Sequence, residues 1–436
     1  MVVAISFLVA AAAVPAGAGG LGAHVVLISP PSDAARPVVA DLLGVSCVGA
    51  SSCWAVGSYQ RPGEVTQPVV VASAGAHWVS PRAIALPASA DPTGYAALSS
   101  VSCKTMTQCV AVGTFTAPGH GVRSGSQLPM VAIAAGGRWL RAIAVTLPSD
   151  AATGTAATGF LSSVTCIGTI DCVAVGTYLS RTGHERGFRL AVSVRSPTGA
   201  VSKAVALPFS PLVGALGPGS EDVAIYGVSC WAPSNCVAVG VALTGDGARS
   251  IAVTEETRAA NWLAPLAAPL PPTANPVAPD TWLSSVTCPA AGRCLAVGST
   301  ELQGATSTSG LVVTRSATGW TWSAPVTAAS GASVLLDAVS CAHGGAACAA
   351  TGDVSTYNGM SLTGSSTGAV VLGSLGGLAA LYHVALPVPS GGTPDSERLE
   401  SVDCTRLGAC TAVGSDALVG GHVIVYAHPA SATFSI

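Results

Sequence analysis

Leu98 to Gly113 reads LSSVSCKTMTQCVAVG, Leu161 to Gly176 reads LSSVTCIGTIDCVAVG, and Leu283 to Gly298 reads LSSVTCPAAGRCLAVG. The phrase is an apolar residue, two small residues, Val, Ser or Thr, Cys, a gap of about five residues, Cys, then a variant of Val-Ala-Val-Gly. It occurs seven times, with first cysteines at 47, 103, 166, 230, 288, 341 and 404. Their spacing is too long for a helix pair and suits a four-stranded unit with generous loops. Val, Ile, Thr and Gly dominate the periodic segments and helical periodicity is absent, so the units are read as β-sheets. In the second unit the strands are expected at Leu98 to Cys103, Cys109 to Phe115, Met130 to Ala135 and Trp139 to Leu147, with Gly136-Gly137 as the last turn.

Val-Ala-Val is apolar on both faces of a strand, which fits a sheet covered on both sides by its neighbours. Radial packing of blades provides that cover. The predicted fold is all-β, a seven-bladed β-propeller of four-stranded blades, occupying residues 19–436 as one domain. The seventh repeat supplies strands near Glu400 to Cys404, Thr411 to Gly414 and His422 to Ala427 but little chain for a fourth. HVVLISP at His24 to Pro30 resembles the fourth-strand segments Ala83 to Pro87 and Ala204 to Pro208, and is expected to close the ring. The alternative donor is Ala432 to Ile436.

All 14 cysteines fall inside the repeat, as Cys47/Cys53, Cys103/Cys109, Cys166/Cys172, Cys230/Cys236, Cys288/Cys294, Cys341/Cys348 and Cys404/Cys410. With every cysteine locally paired, one disulfide per blade and an oxidising compartment are expected. A zinc site usually leaves roughly two to four residues between paired ligands and would bring His at a fixed offset, so no metal is expected. Met1 to Val14 is apolar and precedes Ala16-Gly17-Ala18, so residues 1–18 read as a signal peptide without the usual positive start. No later window is apolar enough for a spanning helix.

Charged residues make up 9% of the 436, against 50% hydrophobic, with 51 Gly and a net charge of −3. The 18 basic residues are scattered, so no nucleic-acid footprint is present. No Gly-x-Ser-x-Gly elbow, His-Glu-x-x-His helix, phosphate loop or dinucleotide fingerprint occurs, and no cofactor is expected.

The Val-Ser-Cys-x5-Cys-x-Ala-Val-Gly units resemble those of secreted repeat proteins of actinobacterial type, a resemblance that implies a propeller and an exported location but no chemistry. A looser similarity is to the Asp-box repeats of sialidase-like propellers, echoed by Ser73-x-Gly75-x-x-Trp78, Ser316-x-x-Gly319-x-x-Trp322 and Gly136-x-x-Trp139. The Asp is missing from each, and Phe188-Arg189-Leu190 is as near as the chain comes to the sialidase Phe-Arg-Ile-Pro signature. Trp78, Trp139, Trp262 and Trp322 are therefore read as packing residues at the start of fourth strands.

In such a wheel the cysteine hairpins lie on one face, and the second-to-third and fourth-to-first connections lie on the other. Only the second group varies in length, which marks that face for function. Polar residues gather there, including Arg61, Glu64, His120, Arg123, Arg181, His184, Glu185, Arg186, Arg189, Asp246 and Arg249, then Glu221, Asp222, Asp280, Asp395, Glu397 and Arg398. The candidate binding residues are those expected just before each inner strand, at the mouth of the channel: Asp41, Phe160, Tyr226, Trp282, Asp337, Arg398 and Glu400. No catalytic residue is assigned. The expectation is an exported, monomeric binding module contacting a cell-surface glycan or protein through the variable face. The alternatives are a carbohydrate-active hydrolase or lyase using mouth carboxylates, and a structural envelope protein.

Overall fold

Each repeat folds as an antiparallel hairpin, because β-prone runs flank the cysteine gap and the gap supplies the turn. Cys103 lies directly opposite Cys109, and Cys166 opposite Cys172. All seven expected disulfides are formed: Cys47–Cys53, Cys103–Cys109, Cys166–Cys172, Cys230–Cys236, Cys288–Cys294, Cys341–Cys348 and Cys404–Cys410, with partner α-carbons 3.9–4.1 Å apart. Closing so short a loop stabilises by about 2 kcal/mol each on chain-entropy arithmetic.

The two cysteines of a bridge have different surroundings. Cys53, Cys236, Cys294, Cys348 and Cys410, like Cys109 and Cys172, are at most 2% exposed. The second cysteine of each pair is therefore a core residue, closed to any ligand. Its strand is the second of its sheet, paired on both sides, and the neighbouring sheets cover its faces. The first cysteines lie nearer the surface, with Cys288, Cys341 and Cys404 each at 8%.

The computed structural model describes residues 24–435, apart from 37, 75–76, 80, 119–126, 169–170, 195–198, 210–221, 244–249, 259–260, 276–279, 306, 329–330, 357–365, 385–393, 406–408 and 421–422. For residues 24–27, 74, 394–396 and 416–435 only the backbone is described. The proposed signal segment lies outside the described residues. Two short 3₁₀ turns occur, and no α-helix is found among the described residues.

The described strands form seven antiparallel sheets, six of them with their first four strands paired in chain order. The first sheet comprises Ala40–Gly49, Ser52–Arg61, Val65–Ala74 and His77–Trp78. The second comprises Ala96–Thr105, Gln108–Thr116, Gln127–Ala135 and Arg138–Trp139. Sheets three to six begin with Gly159–Ile167, Asp222–Ala232, Thr281–Ala290 and Ser333–Cys341. The seventh begins with Pro394–Cys404 and continues through Ala409–Gly420 and Val423–Ser435. Its fourth strand is His24–Leu27, which pairs antiparallel with Ala430 to Thr433. Residues from both ends of the chain therefore share one blade, as expected. The alternative donor around Ala432 belongs instead to the long third strand. First strands pack against first strands in sequence, and that of the seventh sheet returns to that of the first. The architecture is a β-propeller of four-stranded antiparallel blades.

Two local features differ from the expected strands. Trp139 to Leu147 is not one continuous strand: Trp139 pairs with Ala134, but Ile143 pairs with Val131, a shift of one residue. Between them Ala142 N–H donates to the Ala85 carbonyl of the preceding sheet at 2.8 Å, which draws the outer edge away from its own sheet. In the fifth sheet Trp320, not Trp322, takes the packing position. Trp320 faces the core and donates Nε1–H to Glu256 at 2.7 Å, while Trp322 is 43% exposed. Glu256 also accepts two hydrogen bonds from Arg315, clamping the fourth sheet to the fifth.

The repeated phrase is explained by what each residue touches. The Leu of Leu-Ser-Ser-Val is buried at 0% exposure in Leu98, Leu161 and Leu283. A one-residue β-bulge follows it in all seven first strands. The Gly of Val-Gly sits opposite that Leu. A Cβ on Gly113 would lie 2.0 Å from the Ala97 carbonyl oxygen, and one on Gly414 would lie 1.9 Å from that of Arg398. No side chain fits there without moving backbone.

The remaining Ser and Thr hydroxyls join the blades. Cys103 N–H donates to Ser46 Oγ, Cys166 N–H to Ser102 and Cys288 N–H to Ser229, each at 3.0 Å. Val228 N–H donates to Ser163 and Val339 N–H to Ser285, each at 3.2 Å, and Cys404 N–H to Ser340 at 2.9 Å. At the closing seam Val45 N–H donates to Ser401 at 3.2 Å, and Cys47 N–H to the Asp403 carboxylate at 2.6 Å. Every seam thus carries at least one bond from an inner-strand N–H to the preceding inner strand.

Asp403 stands where the other repeats have Ser or Thr, and burial pushes its carboxyl up to about 6 against the pull of its hydrogen bonds. A carboxyl raised on folding stabilises through its protonated form. That contribution is complete below the unfolded value of 3.8 and is lost as pH rises through about 6. Asp403→Ser restores the repeat's usual residue, and its Tm should match or exceed that of the wild type at about pH 8 while losing part of the dependence between about pH 4 and 7. Asp403→Ala, which leaves the Cys47 N–H without its acceptor, should lose about 1–3 kcal/mol at either pH in thermal or denaturant unfolding.

Candidate charged site on the inner ring

The β-bulge after the core Leu sets the geometry of the site, because it inserts one extra residue on the inner strand. All seven candidate mouth residues lie inside first strands rather than just before them, which corrects the sequence expectation. Asp41, Phe160, Trp282 and Arg398 immediately precede the core Leu, and pair with Ser58, Thr177, Ser299 and Ser415. Tyr226, Asp337 and Glu400 are themselves the unpaired bulge residues. The strands begin earlier than the hydrophobic pattern suggested because polar residues there still make ladder hydrogen bonds. All seven are half-buried, beside core neighbours that are closed to solvent.

Four of the seven come together. Arg398 Nε donates to Asp337 Oδ2 at 2.6 Å, and its Nη2 donates to the other oxygen of the same carboxylate. The same Nε lies 3.4 Å from Glu400 Oε1 and 3.7 Å from Asp353 Oδ1. Asp41 acts electrostatically on Glu400 and is hydrogen-bonded to Ser415. The sixth and seventh sheets therefore bring three carboxylates around one guanidinium, and the first sheet adds a fourth, Asp41, beside Glu400.

Positive charge is short in this cluster, and the acids show it. Burial pushes Glu400 up to about 7, with Arg398 pulling the other way and Asp337, Asp41 and Asp353 adding to the rise. Burial likewise raises Asp353 to about 6, opposed by Arg398 and helped by Asp337. Asp41 is raised by burial despite its bond to Ser415. Burial works against the Arg398 charge, but the Asp337 hydrogen bonds and the surrounding carboxylates more than reverse that and hold its proton firmly. Perturbed, clustered groups of this kind make the cluster a candidate functional site. Among the described residues, no group of three or more His, Cys, Asp or Glu side chains is arranged to hold a metal ion.

Asp353 was missed at the sequence level. It follows the Val-Gly-type glycine of its repeat, where Ser58, Thr114, Thr177, Ser299 and Ser415 stand in other copies. That departure from a hydroxyl to a carboxylate was the available signal. Tyr95, one sheet beyond Asp41, was missed too. Its phenol is raised first by burial and then by the Asp41 charge, which places it beside the cluster.

The aromatic candidates stand apart from the cluster. Burial raises the Tyr226 phenol, and the nearby Glu185 charge adds to the rise. Glu185 N–H donates to Asp222 at 2.7 Å, and His184 Nδ1 lies 3.4 Å from the same oxygen. Phe160 and Trp282 hold the equivalent ring positions of the third and fifth sheets. Charge thus occupies one arc of the inner ring and aromatic side chains occupy another. Glu185, Arg186 and Arg189, expected in a loop, lie in the strand Glu185–Ser193, where Arg189 pairs with Val175 in the ladder. His120, Arg123, Glu221, Asp246 and Arg249 lie outside the described residues. A separate recess of about 390 Å³ opens at the disulfide end, lined by Cys230, Trp231, Cys288, Pro289, Cys341 and His343 among others. It holds none of the charged cluster.

The chain matches no protein-family profile and no curated protein sequence. Among solved structures it is similar to a polysaccharide lyase described as a PL25 ulvan lyase, with 10% identity, a TM-score of 0.49, and 92% of this chain and 95% of that one covered. It is similar to the Dos1 propeller at 9% identity and TM-score 0.47, over 93% and 95% of the two chains. The Hadza microbial sialidase Hz136 matches at 10% identity and TM-score 0.41, over 80% and 66%.

Replacing Arg398 by Leu removes the guanidinium and leaves the carboxylates facing one another. Raised acids stabilise through their protonated forms, fully below the unfolded values of 3.8 and 4.5 and no longer once pH passes about 6 for Asp353 and about 7 for Glu400. The variant's Tm deficit should therefore be small near about pH 4.5 and grow steadily toward about pH 8. A deficit independent of pH would show that Arg398 acts only by packing.

Proposed function

We propose that the seven sheets form one seven-bladed wheel, that the protein is exported, and that it works as a binding module for a cell-surface glycan. The seven disulfides support an oxidising compartment. No helix among the described residues is long and apolar enough to cross a membrane. The ligand meets the end of the wheel where the variable loops emerge, at Asp41, Asp337, Arg398 and Glu400, with Phe160, Tyr226 and Trp282 on the facing arc. The observation that carries this reading is the Arg398 guanidinium bound by carboxylates of its own and the neighbouring sheet. Gathering half-buried charge from separate blades costs stability, and the hub hydrogen bonds do not require it. Carboxylate hydrogen bonds and aromatic stacking are the two contacts that polyhydroxylated ligands use.

A second reading, a glycan hydrolase or lyase, is favoured by one observation. Glu400 titrates at about 7, and so is poised to exchange a proton near neutral pH while Asp337 shares its guanidinium partner. Binding is preferred because Arg398 is already committed to Asp337 through both carboxylate oxygens.

Oxidised protein should be screened against glycans and cell-wall fragments by calorimetry, with chromatography to detect product. Binding should weaken at least about tenfold in Asp337→Asn, a loss of about 1.4 kcal/mol, and stay unchanged in His343→Ala at the opposite end. Loss of binding in the His343 variant alone would move the site to the disulfide end. Release of product, with a large fall in kcat for Glu400→Gln at similar KM, would establish the second reading instead.

A further inference from the structure

Three carboxylates, Asp337, Asp353 and Glu400, surround a single guanidinium on the charged arc, and a fourth, Asp41, lies close enough to act on Glu400. Asp337 uses both oxygens on Arg398. Asp353 is 5% exposed, and its Oδ1, 3.7 Å from Arg398 Nε, has no hydrogen-bond partner. A buried carboxylate oxygen without a donor is costly, and here it is aimed at the group where positive charge is already oversubscribed. Tyr95, one sheet beyond, is close enough for the Asp41 charge to act on its phenol.

We infer that the cluster receives a cationic amine, carried by an aminosugar glycan. This rests on the reading of the protein as a glycan-binding module and narrows its ligand. An ammonium group brings donors and charge together, so it can satisfy at once Asp353 and Glu400, which lie 3.7 and 3.4 Å from the same Arg398 nitrogen. A bare metal ion suits the cluster poorly, since the carboxylates are not grouped as ligands among the described residues. The acids come from three consecutive first strands and one second strand, an arc wider than one charged tip. A sugar polymer with an amine on successive rings meets several of them, and its ring faces can lie against aromatic side chains. Raised acids give up protons when a cation arrives, so binding should release protons near neutral pH.

Isothermal titration of the oxidised full chain at about pH 6.5 separates the possibilities, using a glucosamine hexamer, the N-acetylated hexamer and hexalysine. The glucosamine hexamer should bind at least about tenfold more tightly than its acetylated form, and the difference should shrink with added salt. Asp353→Asn and, separately, Glu400→Gln should reduce that preference, with folding confirmed by circular dichroism. Two variants are used because either side chain is buried enough to affect folding. Equal binding of the two sugars overturns the amine inference and leaves glycan binding standing. Binding of hexalysine without glucosamine overturns both in favour of a basic peptide, and binding of none overturns both.

Discussion

Every blade-to-blade seam rests on the same contact, a backbone N–H of one inner strand given to a side-chain oxygen of the inner strand before it. Inner-strand N–H groups on the hub side have no further strand to pair with, and burying them unpaired would be expensive. Placing Ser directly before the first Cys, or just after the bulge, solves this in a way that repeats around an axis. The disulfide then fixes the hairpin that presents the hydroxyl, and the Gly opposite the core Leu lets the first and second strands close over the bulge. Each recurring letter of the phrase therefore answers to one contact.

Closure is the point at which such a ring is exposed to failure, since its last seam joins residues about as far apart in sequence as the chain allows. Two devices meet there. His24–Leu27 pairs with the long strand Val423–Ser435, and Asp403 replaces the usual hydroxyl with a carboxylate that accepts from Cys47 and from the Ser340 hydroxyl. A carboxylate accepts more bonds than a hydroxyl, at the cost of a buried, titrating group. The seam that must hold the whole ring is thus also one that responds to pH.

The candidate site is made from departures from the repeat. Where several copies carry Ser at the bulge, the fourth, sixth and seventh carry Tyr226, Asp337 and Glu400. Where most copies carry Ser or Thr after Gly, the sixth carries Asp353. The scaffold tolerates these because bulge positions lie beside the axis and make no ladder bonds of their own. Function can be written into those positions without disturbing the hub hydrogen bonds, which lie further toward the disulfide end.

The sequence alone determined the sheets, the disulfide partners, the shared closing blade and four residues of the charged cluster. These follow from local rules: period-two patterning, short-range cysteine spacing, and a phrase repeated often enough to be aligned with itself. It misplaced the strand starts and gave Trp322 the role of Trp320. It also missed Asp353, because one-residue bulges and edge breaks depend on neighbouring strands rather than on the residues themselves. Spacing paired the cysteines but could not say that the second of each pair, from Cys53 to Cys410, would be sealed in the core, since that depends on the sheets packed alongside. Only the tertiary structure decided that Asp41, Asp337, Asp353, Arg398 and Glu400 share one place while Phe160, Tyr226 and Trp282 do not. Their distances are set by the order of blades around the axis, and burial there, not composition, gives Asp41, Asp353 and Glu400 their raised affinity for protons.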